Sequence, residues 1–132
     1  MDELKGMDKL DVIFHMQNKF DSDLIKNRGL EGVKPEEWLK MQTLAVISEL
    51  SELLTEVNFK WWKNPKEIDM SAVKEELIDI LHFFVGMCLR TGMTSEELYE
   101  IYLKKNEENF KRQYGTSQKT GYELKESKSK KI

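Results

Sequence analysis

A single cysteine, two prolines and seven glycines are all that this chain of 132 residues contains of three residue types that usually shape small folds. One cysteine excludes an internal disulfide, and with it the stapled folds of secreted domains. So few turn formers exclude an all-β chain, which needs a turn between every pair of strands. A net charge of −3 leaves no basic footprint for a nucleic-acid polymer or an anionic membrane as the main partner. Long apolar runs are also missing: the longest, Phe83 to Leu89, falls far short of a membrane span. The first residues, Met1-Asp2-Glu3-Leu4-Lys5, carry no apolar targeting segment, and together with the lone cysteine they predict a cytoplasmic protein. What is abundant is Glu, Lys, Leu and Met. With 39% hydrophobic and 34% charged residues, the composition predicts one helical globular domain.

Periodicity and punctuation place four helices. The first spans about Asp8 to Asn27, with Leu10, Ile13, Phe14, Phe20 and Leu24 on one face and Gln17 in the middle of it. After Gly29 and Gly32, Pro35 followed by Glu36 and Glu37 opens a second helix that ends near Phe59. Trp61-Trp62-Lys63-Asn64-Pro65 reads as a turn. Asp69 or Ser71 caps a third helix running to Gly92, and Thr94 with Glu97 forms a capping box for a fourth that reaches about Tyr114. Residues 1–114 form a single all-α domain in this reading. The tail, 115–132, holds five Lys and two Glu, a net of +3 against −6 for the body, and its composition predicts flexibility, with Gly121-Tyr122 as its docking point.

The second helix carries an anomaly. Between Met41 and Val57 its only charged residues are Glu49, Glu52 and Glu56, within an arc of about 60° beside the apolar stripe of Val46, Leu50, Leu53 and Val57. A surface helix would mix Lys with Glu on its outer face; here the pattern predicts a helix packed on most sides, with its acids aimed at something specific. In the third helix Glu76 and Asp79 stand one turn apart in a run whose other strongly polar residue is His82. Folded as an antiparallel hairpin about Asn64-Pro65, the two helices bring Glu49, Glu52, Glu76 and Asp79 to one level. Partly buried carboxylates about 5 Å apart repel by roughly 3 kcal/mol per pair at an effective dielectric of about 20. They need a counter-charge, and all-oxygen ligation favours Mg²⁺ or Mn²⁺ over zinc. The plainer alternative is a solvated or lysine-paired acidic face.

The fourth helix turns from apolar to cationic along Leu98, Tyr102, Lys105, Asn109 and Arg112, a stripe about 80° wide. Cations beside a divalent ion suit a polyphosphate, whereas pairing with Glu107 and Glu108 would make the same stripe an ordinary charged face. Lys60 and Lys63 add charge beside Trp61 and Trp62, which either stack on a ring or close the hairpin. Gln17 has a carboxamide that pairs with a base edge or satisfies itself in the core, and His82, Phe83, Met87 and Cys88 are by default packing residues.

The segments LDVIFHMQ (10–17), ELSE (49–52), NFKWWK (58–63), EELIDILHFF (75–84) and KNEENFKRQ (105–113) resemble the dimeric dUTP diphosphatases, within the MazG-like all-α nucleotide pyrophosphohydrolases. The resemblance covers residues 8–122. It implies a four-helix-bundle-like homodimer that uses Mg²⁺, with Mn²⁺ as a substitute, to hydrolyse dUTP to deoxyuridine monophosphate and pyrophosphate, with dUDP as a further candidate substrate. By position, Glu49, Glu52, Glu76 and Asp79 would ligate metal and orient water. Gln17, one of Trp61 and Trp62, His82 and one of Asn106 and Asn109 would frame uracil and deoxyribose, with Phe83 against the sugar. Lys60, Lys63, Lys105 and Arg112 would hold phosphates, and either Tyr114 or Tyr122 would reach one. Three rivals stand beside this expectation. They are a pyrophosphohydrolase for dCTP or a modified nucleotide, a di-iron bundle prompted by Asp79-x-x-His82, and a helical dimerisation module without catalysis. The di-iron class needs a Glu-x-x-His on two helices, which this chain lacks.

Overall fold

The computed structural model describes residues 2–124. The chain is all-α, with helices α1 (Lys9–Asn27), α2 (Pro35–Glu56), α3 (Met70–Arg90) and α4 (Ser95–Gln113), a short 3-10 turn at Asp2–Leu4, and no strand among the described residues. Among these residues no single helix is long and apolar enough to cross a membrane.

Each start follows from local chemistry. Asp8 caps α1 reciprocally: its carboxylate accepts from the Asp11 N–H at 2.9 Å while Asp11 accepts from the Asp8 N–H at 3.2 Å. Pro35 opens α2, where its missing N–H costs nothing. Asp69, rather than Ser71, caps α3, accepting from Ser71 at 3.0 Å and Ala72 at 3.3 Å. The end of α2 is a correction to the sequence reading. The helix stops at Glu56, short of Phe59, because Asn58 takes a left-handed φ of 59°. Asn is the residue after Gly that tolerates this conformation at a helix end. Its side chain then clamps Lys66, donating to the carbonyl at 2.8 Å and accepting from the N–H at 3.0 Å, which ties the connection between α2 and α3 to the helix terminus.

The chain divides into two compact units between Ser95 and Glu96. In the first, α2 packs chiefly on α3, and α1 on α3. The α2–α3 pair is antiparallel: Gln42 and Thr43 meet Gly86 and Met87, while Glu49 meets Glu76 and Asp79. Among the described residues Phe14, Val85 and Cys88 are the buried hydrophobics. The expectation that α2 is covered on most sides is not met within this chain, because Leu44, Ile47, Leu50 and Leu54 are exposed. In the second unit the segment after α4 turns back on the helix end. Thr116 donates to the Lys111 carbonyl at 2.9 Å and Leu124 to the Gln113 carbonyl at 3.0 Å, and the Tyr122 ring lies 5.4 Å from the Arg112 guanidinium. The rest of the expected flexible tail, 125–132, lies outside the described residues.

Candidate active site

One carboxylate oxygen from each of Glu49, Glu76 and Asp79 lies within 4.8 Å of the other two. The antiparallel register of α2 and α3 causes this, since each acid points from its own helix toward the shared level. The Glu76 carboxyl is pushed up to about 7, first by the hydrogen bond it shares with Glu49, then by desolvation and the charge of Glu52. Glu52 therefore belongs to the same cluster. Glu49 Oε2 and Glu76 Oε2 are buried without a hydrogen-bond partner. Among the described residues no lysine, arginine or histidine forms an ion pair with any of the four acids. Glu56, the third acid of the α2 arc, differs: Lys66 neutralises it at 3.3 Å. A buried set of unpaired carboxylate oxygens is costly unless a cation completes it. The donor set is all oxygen, which fits a hard divalent ion.

Glu49 and Asp79 also line a cavity of about 400 Å³, whose other walls are Gln17, Phe20, Asp21, Leu24, Trp38, Gln42, His82 and Phe83. Its volume falls in the range of small-molecule sites. One side is a hydrogen-bonded relay. Gln17 Nε2 donates to Asp21 Oδ1 at 2.9 Å, and Gln17 Oε1 lies 2.5 Å from His82 Nδ1. Burial pushes the Asp21 carboxyl up, opposed by the Gln17 donor and the charge of Arg90. His82 is exposed rather than a core residue, and Gln17 is buried with both ends of its amide engaged.

The sequence model of a family described as dUTPase matches residues 9–90. The chain belongs to the dUTPase family. It is also 32% identical over 100 residues to a protein named dCTP pyrophosphatase from Enterobacteria phage T4, and 33% identical over 100 residues to one of the same name from Enterobacteria phage LZ5. In each case the match covers 58% of this chain and 58% of the phage protein, so the chain spans little more than half the length of these relatives. A T4 protein named DNA replication protein is 30% identical over 93 residues, covering 52% of this chain and 24% of the relative. No solved structure matches this chain significantly.

In this dUTPase-family chain the carboxylate cluster, the relay and the cavity all fall inside the matched range. The other candidates are placed as follows. Trp61 and Trp62 are exposed, Trp61 at 87%, and meet edge to face with centroids 5.6 Å apart; neither lines the cavity within this chain, where the tryptophan in the wall is Trp38. Lys60 and Lys63 line a separate hollow of about 190 Å³ with Asn58, Asn64 and Lys66. Phe83 is in the cavity wall. Lys105, Asn106, Asn109, Arg112, Tyr114 and Tyr122 belong to the second unit. There Arg112 is paired with Glu108 at 3.3 Å and covered by Tyr122, while Asn106 is half-buried. Asp21, Trp38 and Gln42 were not singled out from sequence. Asp21 did carry a signal: it stands at i+4 from Gln17 on the Phe14 face, where a carboxylate has no business unless it is bonded.

Proposed function

We propose that this chain hydrolyses pyrimidine deoxynucleoside triphosphates, dUTP first, to the monophosphate and pyrophosphate. dCTP is the second reading, favoured by the name of the phage relatives. The observation that carries the proposal is one cavity lined by Glu49 and Asp79 together with Gln17, His82 and Phe83. Carboxylates and hydrogen-bonding side chains that share one cavity support a site taking phosphate and base together. Glu49, Glu52, Glu76 and Asp79 would hold Mg²⁺, or Mn²⁺ in its place. When bound, such a cation supplies charge against the phosphate oxygens and lowers the pKa of water.

The chain's own residues do the rest. Glu49 or Glu52 takes the proton of the attacking water as its oxygen bonds to phosphorus, and the phosphoanhydride bond to the leaving pyrophosphate breaks. Lys60 and Lys63 balance phosphate charge, and Lys105, Arg112 and Tyr122 or Tyr114 are candidates for phosphate contact by the resemblance alone. Trp61 or Trp62 completes the nucleoside site in the proposed homodimer, and Asn106 or Asn109 is a candidate for it by the resemblance alone.

Glu49→Gln tests the proposal. Turnover of dUTP, dCTP, UTP and dTTP is followed with Mg²⁺ and with EDTA, resolving nucleotides and phosphates. The wild type should release pyrophosphate from dUTP or dCTP with metal only, and the variant should lose roughly a thousandfold in kcat while keeping its helical signal. An active Glu49→Gln variant sinks the assignment. Absence of both turnover and a metal-dependent rise in Tm would instead support the dimerisation module.

A further inference from the structure

Asp21 is 7% exposed, and its carboxylate has one hydrogen-bond partner among the described residues, the Gln17 amide. The site around it is closely built. A side chain on Gly86 of α3 would collide with the Gln42 amide and come within 3.2 Å of Asp21 Oδ2, so α3 presses on this carboxylate through a position that has no side chain. An ionised carboxylate accepts hydrogen bonds and donates none. The end of Gln17 that meets Asp21 is therefore its NH₂ group, which turns Oε1 toward His82 Nδ1, 2.5 Å away. An amide oxygen only accepts, so Nδ1 carries the proton of the neutral imidazole and Nε2 is left with a lone pair. His82 stands in the cavity wall with Glu49 and Asp79.

We infer that Asp21 is a positioning residue for base selection. Through Gln17 it fixes His82 as a hydrogen-bond acceptor, so the bound base must offer an N–H donor on its edge. The base-binding half rests on the proposed function, whereas the tautomer half does not. Uracil offers N3–H and cytosine its N4 amino group; both donors disappear on methylation. Asp21→Asn removes the constraint, because a carboxamide can donate to Gln17 as readily as accept, and the relay can then run in reverse.

Nitrogen-resolved NMR of the full chain in EDTA, above neutral pH, reads the tautomer, with His82 assigned against His15, the one other histidine. The wild type should show the Nδ1–H form, which is the minor neutral form of free histidine, and Asp21→Asn should shift it toward Nε2–H. In a second arm, kcat/KM is compared for dUTP against N3-methyl-dUTP and for dCTP against N4,N4-dimethyl-dCTP. Loss of the donor should lower wild-type kcat/KM by about tenfold or more, and this factor should shrink in Asp21→Asn. The base whose methylation is costly identifies the donor that His82 takes. A wild-type Nε2–H tautomer overturns the inference, as does equal turnover of methylated and unmethylated nucleotides. If no nucleotide is hydrolysed with Mg²⁺ or Mn²⁺, the proposed function fails while the tautomer still decides the positioning role.

Discussion

Glu76 holds a proton that most surface carboxylates release, because Glu49 and Glu52 share its site and its carboxyl is pushed up from 4.5 to about 7. The sign of the stability effect follows. Between pH 4.5 and about 7 the folded chain without metal binds more protons at this group than the unfolded chain does, so stability falls as pH rises through that window and levels off above it. Thermal melts in EDTA should show Tm declining from the lower to the upper end of the window, and Glu76→Gln should flatten that slope and melt higher at neutral pH. The gain in Tm on adding Mg²⁺ should grow with pH, since the cation takes the place of the proton. A slope left unchanged by Glu76→Gln would show that the cluster does not set it. The paired spacing of these acids on helices otherwise poor in charge made them legible in the sequence. Asp21 and Gln42 were hidden because their importance lies in a meeting of α1 and α2 at Gly86, and no single helix records a meeting between three.

Among the elements, the connection from α2 to α3 matters most for function, because it fixes the register that aligns the acids. Asn58 holds it through a left-handed φ of 59° and two side-chain bonds to Lys66. Asn58→Ala should lose both bonds and strain the backbone, costing about 2 kcal/mol in urea unfolding. Asn58→Gly keeps the conformation and should cost about half as much. Equal effects of the two would mean that the φ preference contributes nothing. The four helices were legible because their apolar spacing and caps are local signals, as Pro35 and Asp69 demonstrate. The end of α2 was misplaced because Val57 and Phe59 continue the apolar pattern past the residue that turns the chain. The return of 115–124 onto α4 was concealed by a polar composition, and Gly121-Tyr122 was its one visible anchor.

For the whole molecule, the imbalance is between few buried hydrophobic side chains and many exposed ones. Along α2, Leu44 at 66% and Ile47 at 56% form an exposed stripe with Leu54, and Ser48 and Ser51 beside them leave room for another helix to approach closely. A stripe of this kind returns about 25 cal/mol for every Å² of apolar surface that a partner covers. Among the described residues only Phe14, Val85 and Cys88 are buried hydrophobics, so covering this stripe would add apolar burial that the single chain lacks. The proposed homodimer would supply it if the same stripe were used on both copies about a two-fold axis. Sedimentation should give twice the 15.6 kDa chain mass, and Ile47→Glu should halve the mass or unfold the chain, because a charge would then be buried without a partner. Trp61→Ala, on the exposed turn, should leave the mass unchanged and so separate loss of assembly from general damage. A monomeric wild type would remove the dimer from the proposal, and a dimer that survives Ile47→Glu would move its interface off α2, to the apolar groove of about 460 Å³ that Ile13 and Met16 of α1 form with Ile78 and Leu81 of α3.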